Sequence, residues 1–154
     1  MSRTQARVGA VYELLARERN GVLATLSESH DGWPFASVVP FALSDGNEPL
    51  LLLSALAEHT RNLRADPRAS LFIQDQTAAD PQAGARATLL GRVEPVADAE
   101  LASATDLYLT RHPQAARYLA LPDFRFYVLR PERARLIGGF GDMGWIELSP
   151  APGC

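Results

Sequence analysis

The chain reads as a mainly β, α+β domain whose strands form an antiparallel barrel or sandwich. Three observations predict this. Short apolar runs of β-type composition recur along most of the 154 residues. Turn-forming residues part them at hairpin spacing, as at His30-Asp31-Gly32 and Ser44-Asp45-Gly46-Asn47. Helical patterns are few and do not alternate with the strands, which argues against a doubly wound parallel sheet. With neither internal repeat nor linker, residues 1–154 are expected to form one domain with its own core.

In chain order, Val8, Val11, Tyr12 and Leu15 recur at helical spacing, predicting an amphipathic helix within residues 1–20. Asn20-Gly21 is expected to end it with a left-handed stop. Val22–Ser27 and Trp33–Leu43 read as strands, the second interrupted at Pro40. Leu50–Ser54 is a third strand, and its unbroken apolar run suggests burial on both faces. Glu58–Ala65 is a short polar helix halted by Asp66-Pro67, since proline disfavours helical geometry in the residue before it.

Ala69–Ile73 is a fourth strand, Gln76–Gly84 a loop, and Arg86–Val96 a fifth strand. Asp98 is placed to cap a helix reaching about Thr110, and Pro113 to start another through Tyr118. Phe124–Leu129 and Arg135–Ile137 read as two further strands, with a frayed tail at 149–154.

Composition removes several function classes. Apolar residues at 47% and charged residues at 21% describe a globular chain, not a disordered one. A formal charge of −3, with both signs interspersed, gives no electrostatic reason to expect a nucleic-acid or membrane partner. The one cysteine, Cys154, permits no internal disulfide. Met1–Gln5 lacks the apolar segment of a signal peptide, and Leu50–Leu53 is far too short to span a bilayer, so a cytoplasmic protein is expected.

Three stretches, taken in order, carry a resemblance. The first is Gly21–Leu26 followed by Trp33-Pro34-Phe35-Ala36-Ser37-Val38-Val39-Pro40-Phe41. The second is Leu51-Leu52-Leu53-Ser54-Ala55-Leu56-Ala57-Glu58-His59-Thr60-Arg61-Asn62-Leu63, closing with Pro67–Leu71. The third is Asp123–Tyr127, then Ala134-Arg135-Leu136-Ile137-Gly138-Gly139-Phe140-Gly141. Together they resemble the pyridoxamine 5'-phosphate oxidase-like FMN-binding split-barrel proteins, most of all their haem-utilisation (HugZ-type) branch. The resemblance implies a six-stranded split barrel, a homodimer, and FMN held in clefts between subunits. The apolar strands agree with a dimer, because they exceed what one small barrel needs to fill its interior.

For the FMN phosphate the resemblance points to Ser54, Thr60, Arg61 and Asn62, with His59 beside them. A strand end, a hydroxyl and the opening of a helix are suitable donors around one anion. Thr60 and Asn62 read equally well as helix caps, and Arg61 as a solvated cation. Ala36–Val39, including Ser37 and Val39, matches the strand that contacts the flavin ring in similar proteins, although alternating core packing fits it too. Arg86 is placed to reach the cofactor of a partner subunit or to sit solvated at a strand edge. The glycines from Gly138 to Gly141 suit a tight turn or close approach and lack the strand-to-helix context of a dinucleotide fingerprint. Trp145 suits packing at the subunit interface.

Other chemistries are weaker. Ser54 and His59 have neither a nucleophile elbow nor an orienting carboxylate, and His30, His59 and His112 lack zinc-ligand spacing. Ser37 and Thr60 stand where phosphate-binding charge is expected, which counts against vitamin B6 oxidation. The expected function is therefore an FMN-dependent oxidoreductase of unassigned substrate. The alternatives are a haem-binding or haem-degrading protein with His59 or His112 as axial ligand, a deazaflavin protein, and a non-enzymatic dimeric module. Haem-acting members of that branch carry a further C-terminal extension, whereas this chain stops soon after Trp145, which favours flavin.

Overall fold

The computed structural model of the chain describes residues 1–138 and 142–148. The expected turn at Gly139-Phe140-Gly141 and the tail at 149–154 lie outside these residues. Eight strands form one antiparallel sheet, two more than the six the resemblance implied. They are β1 (Asn20–Leu26), β2 (Pro34–Pro40), β3 (Ala42–Leu43), β4 (Pro49–Ser54), β5 (Arg68–Gln74), β6 (Arg86–Pro95), β7 (Phe124–Ile137) and β8 (Met143–Glu147). Their order is β2-β1-β5-β6-β7-β4-β3, with β8 added to β7. The two end strands, β2 and β3, are halves of one segment parted at Phe41, so the sheet curls until its ends are joined by the chain itself. Pro40, which has no N–H to give, sits at that break.

Helix α1 (Arg3–Arg17) starts five residues before the first apolar position of its stripe. Ser2 and Gln5 form a capping box: Gln5 N–H donates to Ser2 Oγ at 3.1 Å, and Ser2 N–H to Gln5 Oε1 at 2.9 Å. Its stripe buries Val11, Leu14 and Leu15 against the barrel interior. The helix ends at Arg17, not at Gly21, and Glu18 leaves it in extended geometry. Gly21 belongs to β1 and has ordinary φ. A Cβ there would lie 2.8 Å from Leu71 Cδ1 and 2.9 Å from the Phe72 carbonyl oxygen, so glycine permits a close approach of strands and makes no turn.

Two clusters divide the core. Leu23, Leu51, Leu53, Leu71, Leu89 and Leu129 fill the barrel interior with the α1 stripe. On the other side of β4 and the first half of β7, Leu50, Leu52, Phe126 and Val128 pack against α3 (Leu101–Arg111) and the turn after it. This accounts for the unbroken run of β4, which is buried on both faces. Asp98 does not cap α3. It lies in a 3₁₀ turn, Asp98–Glu100, entered from Ala97 with no side-chain cap.

The two strands expected at Phe124–Leu129 and Arg135–Ile137 are one, β7, of 14 residues. Pro131 lies between the two expected strands. It sits where the β6–β7 register shifts between Leu90 and Gly91, and a bulge is where a strand tolerates proline. β8, with only Ile146 buried, had no apolar run to reveal it. Arg7 of α1 anchors the start of β8, its guanidinium donating to Asp142 Oδ1 at 2.8 Å and to the Met143 carbonyl at 2.8 Å. Among the described residues no helix is long and apolar enough to cross a membrane.

Candidate functional site

The helix α2 (Glu58–Ala65) packs its first turn against β1 and β2, which brings several of the expected residues together. Ser37 Oγ of β2 and His59 Nδ1 lie 3.2 Å apart. Burial holds the His59 imidazole below its usual pKa, so the ring is neutral near pH 7. Two buried polar atoms here have no hydrogen-bond partner, His59 Nε2 and Thr60 Oγ1. Such atoms are uncommon and costly in a finished structure.

The remaining expected donors are engaged within the chain. Asn62, 1% exposed, donates to Thr25 Oγ1 at 3.0 Å and accepts from Glu28 N–H at 3.0 Å, pinning α2 to the end of β1. Arg61 is paired with Glu58 at 2.7 Å. Ser54 donates to Asp123 Oδ2 at 2.7 Å, which sets a carboxylate beside the hydroxyl expected to meet a phosphate. Val39 faces the barrel interior. Arg86 stands on β6, separated from β2 by β1 and β5, and its guanidinium holds the carbonyls of Pro81, Gln82 and Gly84. His112 is spent in the core: Nε2 meets the Phe41 carbonyl oxygen at 2.7 Å and the ring lies 5.0 Å from that of Tyr108.

Two concavities open on the outer surface near this turn. One, of about 620 Å³, lies at the end of the β1–β2 hairpin and is lined by Ser29, His30, Trp33, Pro34 and Phe35. Trp33 is 72% exposed, an unusual position for an indole unless something covers it. The other, of about 490 Å³, has a floor that includes Ala24, Leu26 and Leu90 and a rim of Arg68, Arg92 and Arg133. Pro34 lines both, so the two lie on either side of the first residue of β2. In the sequence His30-Asp31-Gly32 reads as a turn and Trp33 as the start of a strand, and His30 is weighed only as a zinc ligand. The signal for a site was a histidine and a tryptophan flanking that turn, residues a bare hairpin does not need.

A curled antiparallel sheet whose ends join through one interrupted strand, with a few helices packed on it, defines a split-barrel protein. Comparison with known proteins makes this specific. The family model "CREG, beta-barrel" matches residues 4–151, and the chain belongs to that family. The pyridoxamine phosphate oxidase-like resemblance is refined accordingly, and haem proteins stand among the relatives. The chain is 36% identical over 121 residues to the non-canonical heme oxygenase HOZ, chloroplastic, of Arabidopsis thaliana, covering 77% of this chain and 36% of that one. A heme binding protein from Mycobacterium smegmatis superposes with a TM-score of 0.85 at 38% identity, over 96% of this chain and 59% of that one. HutZ, the heme storage protein from Vibrio cholerae, matches with a TM-score of 0.63 at 26% identity, over 82% and 90% of the two chains. The chain thus spans about a third of the plant protein and under two thirds of the mycobacterial one.

Proposed function

We propose that the protein binds haem at the outer surface of the split barrel and works as a homodimer. The observation that carries this reading is the relationship, at 36% and 38% identity, to a heme oxygenase and a heme binding protein over most of this chain. The donor set is consistent with it. Haem asks for an imidazole or similar ligand, flat apolar contact, and cations for two propionates. The hollow at the hairpin end offers His30 and Trp33 with Phe35, and its neighbour across Pro34 offers the three rim arginines. When bound, haem supplies a redox-active iron, and the chain's residues contribute ligation, orientation and exclusion of water.

The dimer reading rests on the outer face of β2-β1-β5. Val38 is 73% exposed, and the register sets Val38, Val22 and Phe72 side by side across three strands. A second copy of this uncharged patch is the occupant that matches it about a twofold axis.

FMN is the second reading, favoured by the unpartnered Thr60 hydroxyl in the first turn of α2, where a phosphate would be held. Titrating the purified protein with haem and, separately, with FMN decides between them. Under the haem reading a Soret band saturates with haem and survives desalting. A flat haem titration with flavin retained overturns it in favour of FMN. Breakdown of the bound haem is a further step, tested by loss of the Soret band on adding a reductant in air.

A further inference from the structure

We propose that Nε2 of His30, at the tip of the β1–β2 hairpin, is the axial ligand to the iron; this assignment rests on the haem reading above. The chain has three histidines. His112 is 4% exposed with its Nε2 engaged by the Phe41 carbonyl, and His59, in the first turn of α2, has its Nε2 buried. His30 alone of the three is exposed, and it lines the wide cleft beside Trp33 and Phe35.

The hydrogen bonds around it fix which nitrogen is free. Ser29 donates its one hydroxyl proton to Glu58 Oε1 at 3.0 Å. At 2.9 Å from His30 Nδ1, the Ser29 oxygen therefore accepts, and the imidazole proton sits on Nδ1. In that tautomer of the neutral ring the Nε2 lone pair is free, and the ring is steered by a carboxylate through a hydroxyl, the outer-shell arrangement that orients histidine ligands to metals. The Ser29 hydroxyl and, after it, the Arg61 guanidinium hold the Glu58 carboxyl below the usual range, so the end of the relay is ionised near neutral pH. Trp33 supplies a flat apolar face beside His30 on which a porphyrin ring can stack. In the neighbouring hollow Arg92 and Arg133 are held only by long surface ion pairs, Arg92 at 3.7 Å from Glu132 and Arg133 at 3.8 Å from Glu147, and can turn to propionates. Arg68, by contrast, is already paired with Asp66 at 2.6 Å.

The experiment compares haem-loaded wild type, His30→Ala, His59→Ala and Ser29→Ala by absorption and electron paramagnetic resonance, with circular dichroism to confirm folding. His30→Ala is expected to lose the histidine-ligated spectrum and to regain it when imidazole is added. His59→Ala is expected to keep that spectrum. Ser29→Ala is expected to keep the ligand but weaken haem retention roughly tenfold, the usual effect of removing an outer-shell partner. If His30→Ala shows the wild-type spectrum while haem is retained, the assignment is overturned and the haem reading stands. If the wild type shows no Soret band, both fall.

Discussion

The outer face of one sheet is finished in two different ways. Over β4 and the first half of β7 it is covered by the chain's own helices. Leu50, Leu52, Phe126 and Val128 meet Val96, Ala104, Tyr108 and Ala115, and the Tyr108 ring stands edge-on to Phe126 at 5.4 Å. Over β2, β1 and β5 the same sheet has no cover among the described residues. There the cross-strand row Val38–Val22–Phe72–Thr88–Arg135–Trp145 is mostly apolar and carries a single charge, Arg135. The inner faces of both regions are alike, closed and apolar. The difference teaches that the helices are spent where the fold needs cover, while the bare region is left for something outside this chain. The haem and dimer readings both draw on that bare region.

Removing the cover gives the largest expected effect. Tyr108 is 2% exposed and desolvation lifts its hydroxyl to a pKa of about 12, as befits a ring at the centre of the covered side. Tyr108→Ala is expected to cost about 3–5 kcal/mol of stability, the usual range for truncating a buried aromatic. Val38→Ala on the bare side is expected to cost under about 0.5 kcal/mol. Chemical denaturation of both variants measures this directly. Equal losses would mean that the two regions are not finished differently.

Adding charge to the bare side tests what covers it. Val38→Glu is expected to shift the protein from dimer to monomer by light scattering at micromolar concentration, with little change in the stability of the subunit. A Val38→Glu protein that stays dimeric would place the contact elsewhere. A wild type that is a well-behaved monomer would remove the dimer altogether.

How much of this contrast the sequence reveals depends on the range of the interaction. The four leucines of β4 announce burial on both faces because strand burial is local in composition. The stripe of α1 is legible too, while its start needed the Ser2–Gln5 box to be read as a cap. Gly21 misled because a glycine after a helix usually means a stop, whereas here it serves contacts with β5 some fifty residues away. The parting of β7 into two expected strands has a similar cause, since only the partner strand reveals that Pro131 between them stands at a bulge. At the site, the closeness of Ser37 and His59 follows from the matched motifs. That Ser54 and Arg61 are taken by Asp123 and Glu58 does not, because hydrogen bonding depends on where the carboxylates arrive after folding. His30 was overlooked because the turn residues around it already had an explanation.

The smallest expected effect is electrostatic and sits at the rim of the bare side. Arg68, which lines the basic hollow, holds Asp66 through contacts of 2.6 and 3.0 Å. Its guanidinium lowers the Asp66 carboxyl from 3.8 to about 2. A carboxyl whose folded pKa lies below its unfolded one stabilises the fold fully above the unfolded value and loses that contribution as pH falls through the folded value. The contribution should therefore fade between about 3.8 and about 2. Because the pair is exposed, salt should shrink it. Wild type and Asp66→Asn, compared by thermal melting across that acid window, should differ slightly at its upper end and converge at its lower end. Curves that run parallel throughout would show that the pair contributes nothing to the fold, leaving Arg68 free to serve an anion instead.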